Sequence, residues 1–345
     1  MTGIAILGVG RWGVHLVRNF LNHPDAKVVA IVDPRQDRLE ALWGQFELSP
    51  DVVLATSWNQ IRQMSDRIEA VAVATPASTH YSLISDALDL GYHVLSEKPL
   101  TLNPEESLEL CQLAEKQQRQ LFIDHTYLFH PAVERGANVI RNAELGELRY
   151  GYAARTHLGP VRPDVDALWD LAIHDIAIFN TWLGEFPDRV AATGNIWLQS
   201  ATDKLDRTLF PNGLSDVVWA KLIYPSGFQA TIHLCWFNPD KQRRLSVVGA
   251  RGTLIFDEMS SVAPLVIQRG RLELRDGYWI PTDQSRDVLE LEPAEPLKQM
   301  CDRFLTCIGE SRPCDISSGW VGAKLVKILS ALTESLNQGG LEVRV

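Results

Sequence analysis

The sequence predicts a two-domain protein: an α/β Rossmann domain first, then an α+β domain with a large, mainly antiparallel, open-faced sheet. Three observations predict it. Over the first third of the chain, short β-rich runs alternate with helical stretches, as in βαβ units. A Gly-x-Gly-x-x-Gly turn lies between the first run and the first helix. After about residue 124 the rhythm changes to longer β-patterned segments divided by turns.

The runs of the first domain, placed over residues 1–124, are Ile4 to Leu7, Val28 to Val32, Val52 to Ala55, Val71 to Ala74, His93 to Leu95 and Leu121 to Ile123. Several are apolar throughout, as strands covered on both faces should be. Helical spacing marks Trp12 to Leu21, Leu83 to Leu90 and Glu105 to Gln117. The second domain, over residues 125–345, opens with a helical stretch, Pro131 to Arg141. It continues with β-patterned Leu148 to Thr156, Arg189 to Trp197, Asp216 to Tyr224, Phe228 to Trp236, Arg244 to Val248 and Gly252 to Asp257. A helix over Ala167 to Leu183 interrupts them, and a last helix over Gly319 to Asn337 precedes the short run Leu341 to Val345.

The 345 residues suit two domains, and 46 % apolar residues fill real cores. The net charge of −10 and the lack of any Lys/Arg run exclude nucleic acid and anionic membranes as expected partners. The five cysteines form no C-x-x-C pair, so neither a metal site nor a disulfide framework is expected. Reduced thiols and the lack of a run of about 18 apolar residues point to a cytoplasmic protein.

Gly8-Val9-Gly10-Arg11-Trp12-Gly13 follows the first strand and opens a helix. Gly8 permits the tight turn, Gly10 lets the backbone approach a pyrophosphate, and Gly13 lets helix and strand pack closely. The first-turn amides then face the phosphates. Asp33 ends the second strand, 20 residues past Gly13 (33 − 13), where a carboxylate meets the adenosine ribose. It would repel a 2′-phosphate, which favours NAD. Arg35 and Arg38 close by could offset this, which leaves NADP as the alternative. A second strand end carries Ala74-Thr75-Pro76-Ala77-Ser78-Thr79-His80, so Thr75, Pro76 and His80 are expected along the cofactor trough; Ser78 or Thr79 serves equally well as a helix cap. A third carries Ser96-Glu97-Lys98-Pro99. A lysine there could hold a hydroxyl or carbonyl oxygen electrostatically.

Taken together, the glycine turn, the acid after the second strand, Ala74-Thr75-Pro76 and Glu97-Lys98-Pro99 resemble the Gfo/Idh/MocA oxidoreductases. The resemblance spans nearly the whole chain. It implies an NAD(P)-dependent dehydrogenase acting on a sugar hydroxyl, with Arg11, Trp12, Glu97 and Lys98 also at the cofactor and a cis Lys98–Pro99 bond. The family's Asp-x-x-x-His motif is Asp170-Leu171-Ala172-Ile173-His174 here. Its i, i+4 spacing puts both side chains on one helix face. A carboxylate beside an imidazole fixes its tautomer and raises its basicity, which suits a general base. The implied catalytic set is therefore Lys98, Asp170 and His174, with the choice between Lys98 and His174 as principal acid/base left open. Two departures stand out. Ile173 replaces the Gly or Pro often found before the His, and His125 to Pro131 lacks the Arg that many relatives carry before an aromatic.

The polar, turn-rich stretch from Arg155 to Asp166 is similar to that of members acting on UDP-N-acetylhexosamines. Arg155 and Arg162 are candidate ligands for a diphosphate, carboxylate or hydroxyls, and Tyr127 and Trp169 for stacking on a sugar or base. A nucleotide sugar is the first substrate class; a free sugar, inositol or dihydrodiol is the second. A non-catalytic NAD(P)-binding regulator is the reading from another class, but it would be expected to lose Lys98, Asp170 or His174. An enzyme that keeps its cofactor and recycles it between two substrates is a further form. The open sheet face calls for cover by self-association, as a homodimer or homotetramer.

Overall fold

The computed structural model describes residues 1–200 and 208–345. They form two compact units, Met1–Phe129 with Ala294–Val326, and His130–Pro293 with Lys327–Val345. The helices are α1 (Gly13–Leu21), α2 (Gln36–Gln45), α3 (His80–Asp89), α4 (Pro104–Lys116), α5 (Pro131–Arg141), α6 (Ile173–Leu183), α7 (Pro296–Glu310) and α8 (Gly319–Asn337).

The first unit holds a sheet of β1 (Thr2–Leu7), β2 (Ala26–Val32), β3 (Val53–Ala55), β4 (Ala70–Val73), β5 (His93–Ser96) and β6 (Leu121–Ile123). All neighbours are parallel, in the order β3-β2-β1-β4-β5-β6. The six expected runs all become strands. The strand order reverses between β1 and β4, and in such sheets ligands bind outside the carboxyl ends at that point. Helix starts are set locally. For α4, the Asn103 carbonyl accepts from the amides of Glu105 at 2.7 Å and Glu106 at 3.3 Å, Pro104 takes the first position, and two acids sit in the first turn.

The domain division expected at residue 124 differs from the observed one. The first unit runs on to Phe129, and residues 294–326 return to it. The reason is apolar packing at the β6 edge. Phe304 of α7 meets Phe122 edge-on with ring centroids 5.7 Å apart, and Phe122 stacks on Phe129 at 5.9 Å. Ser317 then pairs with the strand end: its carbonyl accepts from the Ile123 amide at 2.9 Å, and its hydroxyl donates to the Ile123 carbonyl at 2.6 Å.

The second unit holds nine strands in the order β16-β15-β14-β13-β7-β12-β11-β8-β17. They are β7 (Leu148–Leu158), β8 (Arg189–Asn195), β11 (Val217–Ile223), β12 (Gln229–Cys235), β13 (Phe237–Gly249), β14 (Gly252–Asp257), β15 (Leu265–Arg275), β16 (Tyr278–Val288) and β17 (Val343–Arg344), while β9 (Gln199–Ser200) and β10 (Gly213–Leu214) pair separately. Only β7 and β12 run parallel; the other neighbours are antiparallel. One face packs on α6, because a Cβ at Gly151 would lie 2.6 Å from Phe179. Tyr150 and Tyr152 point the other way and are exposed, and Trp219 on the same face is 48 % exposed. The sheet is open-faced, as the sequence predicts.

The long hairpin β15–β16 is absent from the sequence reading. Its strands alternate charge with exposed apolar residues, Arg271, Glu273 and Arg275 against Leu272 and Leu274, so no half-buried pattern marks them. The local signals are the short buried run Leu265-Val266-Ile267 and the turn Asp276-Gly277, both of whose residues have positive φ (48° and 80°), a combination that favours tight hairpins.

The helix expected over Ala167 to Leu183 begins as a π-turn, Leu168–Ala172, and becomes regular only in α6. Gly184 ends it at φ 70°. Buried Asp166 starts it, its Oδ1 accepting the Trp169 amide at 3.0 Å. Burial pushes this carboxyl up to about 7, against the pull of the nearby backbone amides. A raised carboxyl binds its proton more tightly in the folded state. Its contribution to stability is complete below the unfolded value near 3.9 and is lost as pH rises through about 7. The melting temperature of Asp166→Asn should therefore gain on wild type between pH 4 and 7 and hold that gain above. A difference that does not change with pH would contradict this.

All five cysteines are buried free thiols. Among the described residues, no helix is long and apolar enough to cross a membrane.

Candidate active site

The glycine turn follows β1 as the motif requires. Gly8 has φ 88°, and a Cβ there would lie 2.6 Å from the Ala74 carbonyl oxygen. A Cβ at Gly13 would lie 1.9 Å from the Gly8 carbonyl oxygen, so α1 and the turn touch backbone to backbone. Gly10 is different: the nearest atom to a Cβ there is Arg38 Nη1 at 3.7 Å. The space in front of Gly10 is open, and no acid occupies the first turn of α1. An open approach to amides at a helix start fits a pyrophosphate. Arg11 and Trp12 are exposed beside it, with Trp12 edge-on to His15.

Asp33 is 2 % exposed. Its Oδ2 accepts the Val9 amide at 2.9 Å and lies 3.3 Å from Arg38 Nη1, while Oδ1 accepts the Arg35 amide at 3.0 Å. A carboxylate offers about four acceptor sites, so about one is left for a ribose hydroxyl. Asp33 thus also clamps the glycine turn to β2, a role the motif alone does not reveal.

At the end of β4, Thr75 is half-buried and Pro76 exposed. Thr79 donates to the Thr75 hydroxyl at 2.7 Å. His80, expected along the trough, is 1 % exposed. Its Nδ1 lies 2.9 Å from the Pro99 carbonyl and its Nε2 2.9 Å from the Thr75 carbonyl. This corrects the expectation of direct contact: buried His80 ties the β4 loop to the segment after Lys98. Lys98 is half-buried at the mouth of β5, and the Lys98–Pro99 bond is cis, as the resemblance implies. Tyr127 is half-buried in the short turn Thr126–Phe129.

In the second unit, every residue from Val165 to Trp182 is buried except Asp170, His174 and Thr181. The wide π-turn keeps positions four apart on one side, so Asp170 and His174 share the opening. Asp170 is 18 % exposed and accepts from Arg162 Nη1 at 3.1 Å. Arg162 also forks onto Asp164 at 2.9 and 2.6 Å. Burial opposes the Arg162 charge, and the two carboxylates more than offset it, so the guanidinium is held firmly protonated. Arg162 therefore orients Asp170 while remaining partly open.

Two expected substrate contacts are corrected. Trp169 is fully buried and its indole donates to Thr333 Oγ1 at 2.8 Å, so it packs the core beneath the opening and stacks on no ligand. Arg155 is buried and forks onto buried Asp175 at 2.9 and 3.0 Å. It braces β7 against α6. Removing one partner of such a pair costs about 3–5 kcal/mol, because it strands the other charge. Arg155→Met should lose that much in chemical denaturation, and adding Asp175→Leu should restore most of it. Loss of substrate affinity without loss of stability would reinstate a binding role.

The sequence reading also passed over Asp124 and His125 at the end of β6. His125 is buried, its Nε2 has no partner in the structure, and burial, with Lys98 adding to it, pushes its pKa down to about 3. It is neutral at any ordinary pH.

Residues 2–125 match the model of the "oxidoreductase family, NAD-binding Rossmann fold", and residues 134–255 match the Gfo/Idh/MocA C-terminal domain. The chain belongs to the Gfo/Idh/MocA family. Residues 2–125 are the family's NAD-binding domain, and the open approach at Gly10 fits a dinucleotide there. Among family relatives, the UDP-N-acetylglucosamine 3-dehydrogenase of Acidithiobacillus ferrooxidans is 37 % identical over 142 residues, covering 40 % of this chain and 42 % of that one. The match thus spans less than half of that relative. Inositol 2-dehydrogenase of Rhizobium meliloti is 26 % identical, covering 80 % of each chain. The solved structure of the Acidithiobacillus enzyme superposes with TM-score 0.78 at 22 % identity over 97 % of both chains, which shows the shared fold.

Proposed function

We propose that this member of the family is an NAD(P)-dependent dehydrogenase that oxidises or reduces a hydroxyl carbon of a nucleotide sugar, with a UDP-N-acetylhexosamine as the first candidate. The observation that carries the reading is the opening at Asp170 and His174 in an otherwise buried helical segment. Three further features support it: half-buried Lys98 at the mouth of the NAD-binding sheet, Arg162 beside Asp170, and the nucleotide-sugar substrate named for the Acidithiobacillus relative. The free-sugar or inositol reading is supported by the Rhizobium relative.

When bound, the nicotinamide takes or gives the hydride. The chain supplies everything else. The amides of the glycine turn hold the central pyrophosphate of the dinucleotide, and Asp33 its adenosine ribose. Lys98 holds the substrate oxygen and stabilises charge on it as the carbon changes oxidation state. His174 takes the hydroxyl proton in the oxidative direction and returns it in reverse. Asp170, held by Arg162, orients the imidazole. The half-buried Tyr127 is proposed to meet the sugar, and the partly open Arg162 the diphosphate.

A second copy of the chain covers the open sheet face in this reading, since Tyr150, Tyr152 and Trp219 leave it apolar. Light scattering should find an oligomer that Trp219→Glu breaks. The substrate is tested by following nicotinamide absorbance with UDP-N-acetylglucosamine, UDP-N-acetylgalactosamine, free hexoses and inositols. Turnover confined to free sugars or inositols would replace the nucleotide-sugar reading. No turnover with any compound, in either direction, would count against the dehydrogenase.

A further inference from the structure

We infer that Glu97 and Asp124 hold one proton between their carboxyl groups and together present Lys98 with a single negative charge that positions its ammonium group. This rests on the proposed role of Lys98, and it gives Glu97, expected at the cofactor, and Asp124 a part that the chemistry above does not assign them.

The placement comes from the sheet. β5 and β6 are parallel neighbours with Ser96 beside Ile123, and the Asp124 amide donates to the Ser96 carbonyl at 2.7 Å. Glu97 and Asp124 are the next residues on the two strands, so their carboxyl groups leave the sheet side by side. Each acts on the other's protonation, Asp124 raising Glu97 and Glu97 favouring the charge on Asp124. Two carboxylates have no hydrogen to share, so a hydrogen bond between these neighbours needs one of them to be protonated.

The surroundings decide where the proton lies. Asp124 is buried, and its ionised form accepts from both the hydroxyl and the amide of Thr126. Glu97 is pushed well above the usual carboxylate range by burial and by the charge on Asp124, although Lys98 pulls the other way. Asp124 is raised too, by burial, but Thr126, Glu97 and Lys98 all favour its charge. Glu97 therefore carries the proton and donates it to Asp124. The other titratable groups at this spot are His125, neutral as described, and Cys301 of α7, whose thiol is raised by burial and then by Asp124. Neither adds charge at neutral pH. One ammonium thus faces one negative charge spread over two residues, and that charge lies behind it, at the strand ends. A second negative charge would hold the ammonium back from a substrate oxygen. No charge at all would leave it poorly anchored and easier to deprotonate.

The test uses the ligand-free full-length protein, so it does not depend on turnover. Infrared spectra at neutral pH are taken in an Asp166→Asn background, which removes the other buried carboxyl raised by burial, and should show the carbonyl stretch of a buried carboxylic acid. The band should vanish in Glu97→Gln. In parallel, the rate of Lys98 acetylation by acetic anhydride at one fixed pH is followed by mass spectrometry in Glu97→Gln, Asp124→Asn and the double variant. Each single variant keeps one negative charge, because the amide donates to the remaining carboxylate, so its labelling rate should stay near wild type. The double variant keeps none, and its rate should rise by about tenfold or more. Absence of the acid band in the Asp166→Asn background overturns the inference. So do equal rate increases in the two single variants, which would mean that the pair carries two charges. If a Glu97 or Asp124 variant fails to fold, the band in the Asp166→Asn background still decides. Should Lys98 prove dispensable for turnover, these results stand, and the two failures are told apart.

Discussion

Replacing His174 with alanine should lower turnover by about two to four orders of magnitude, the usual worth of a positioned general acid–base group. The side chain is one of the few open positions in a buried segment, so little packing is lost with it. The glycine turn and Asp33, proposed to hold the dinucleotide, belong to the other compact unit. NADH affinity, measured by fluorescence titration, should therefore match wild type while kcat collapses. A variant with unchanged kcat would remove His174 from the chemistry. One that loses NADH binding along with kcat would show a structural role instead.

Gly13→Ala and Gly10→Ala should part company. At Gly13 the new methyl would lie 1.9 Å from the Gly8 carbonyl oxygen, which is backbone and has little room to yield. Helix α1 must move off the turn, at a cost of about 1–3 kcal/mol in stability, and the amides lose their aim. At Gly10 the nearest atom is the end of a flexible arginine at 3.7 Å, so the fold is untouched. The methyl instead fills the space needed by the pyrophosphate. NAD affinity should fall at least tenfold, about 1.4 kcal/mol, in both variants, and the melting temperature only in Gly13→Ala. Normal NAD binding by Gly10→Ala would displace the dinucleotide from this turn.

Much of this was legible because it is local. The six parallel strands announce themselves as short apolar runs, and Gly8, Gly10 and Gly13 sit where one strand meets one helix. Asp170 and His174 are four residues apart and need only a helical turn to meet. The misses share a cause. Trp169 and Arg155 look like ligand-binding side chains by type, but the partners that occupy them, Thr333 and Asp175, lie far away in the chain. The charged hairpin β15–β16 buries too little to show a pattern. Helix α7 belongs to the first unit only because Phe304 finds Phe122.

The sequence by itself determined the six parallel strands, the glycine turn and the Asp170–His174 spacing, because each depends on spacing of a few residues. Tertiary structure alone decided which side chains are open and which are spoken for. It also joined Glu97 to Asp124 across two strand ends. Burial and pairing are sums over distant neighbours, and a carboxyl group's charge follows from those sums rather than from its place in the chain.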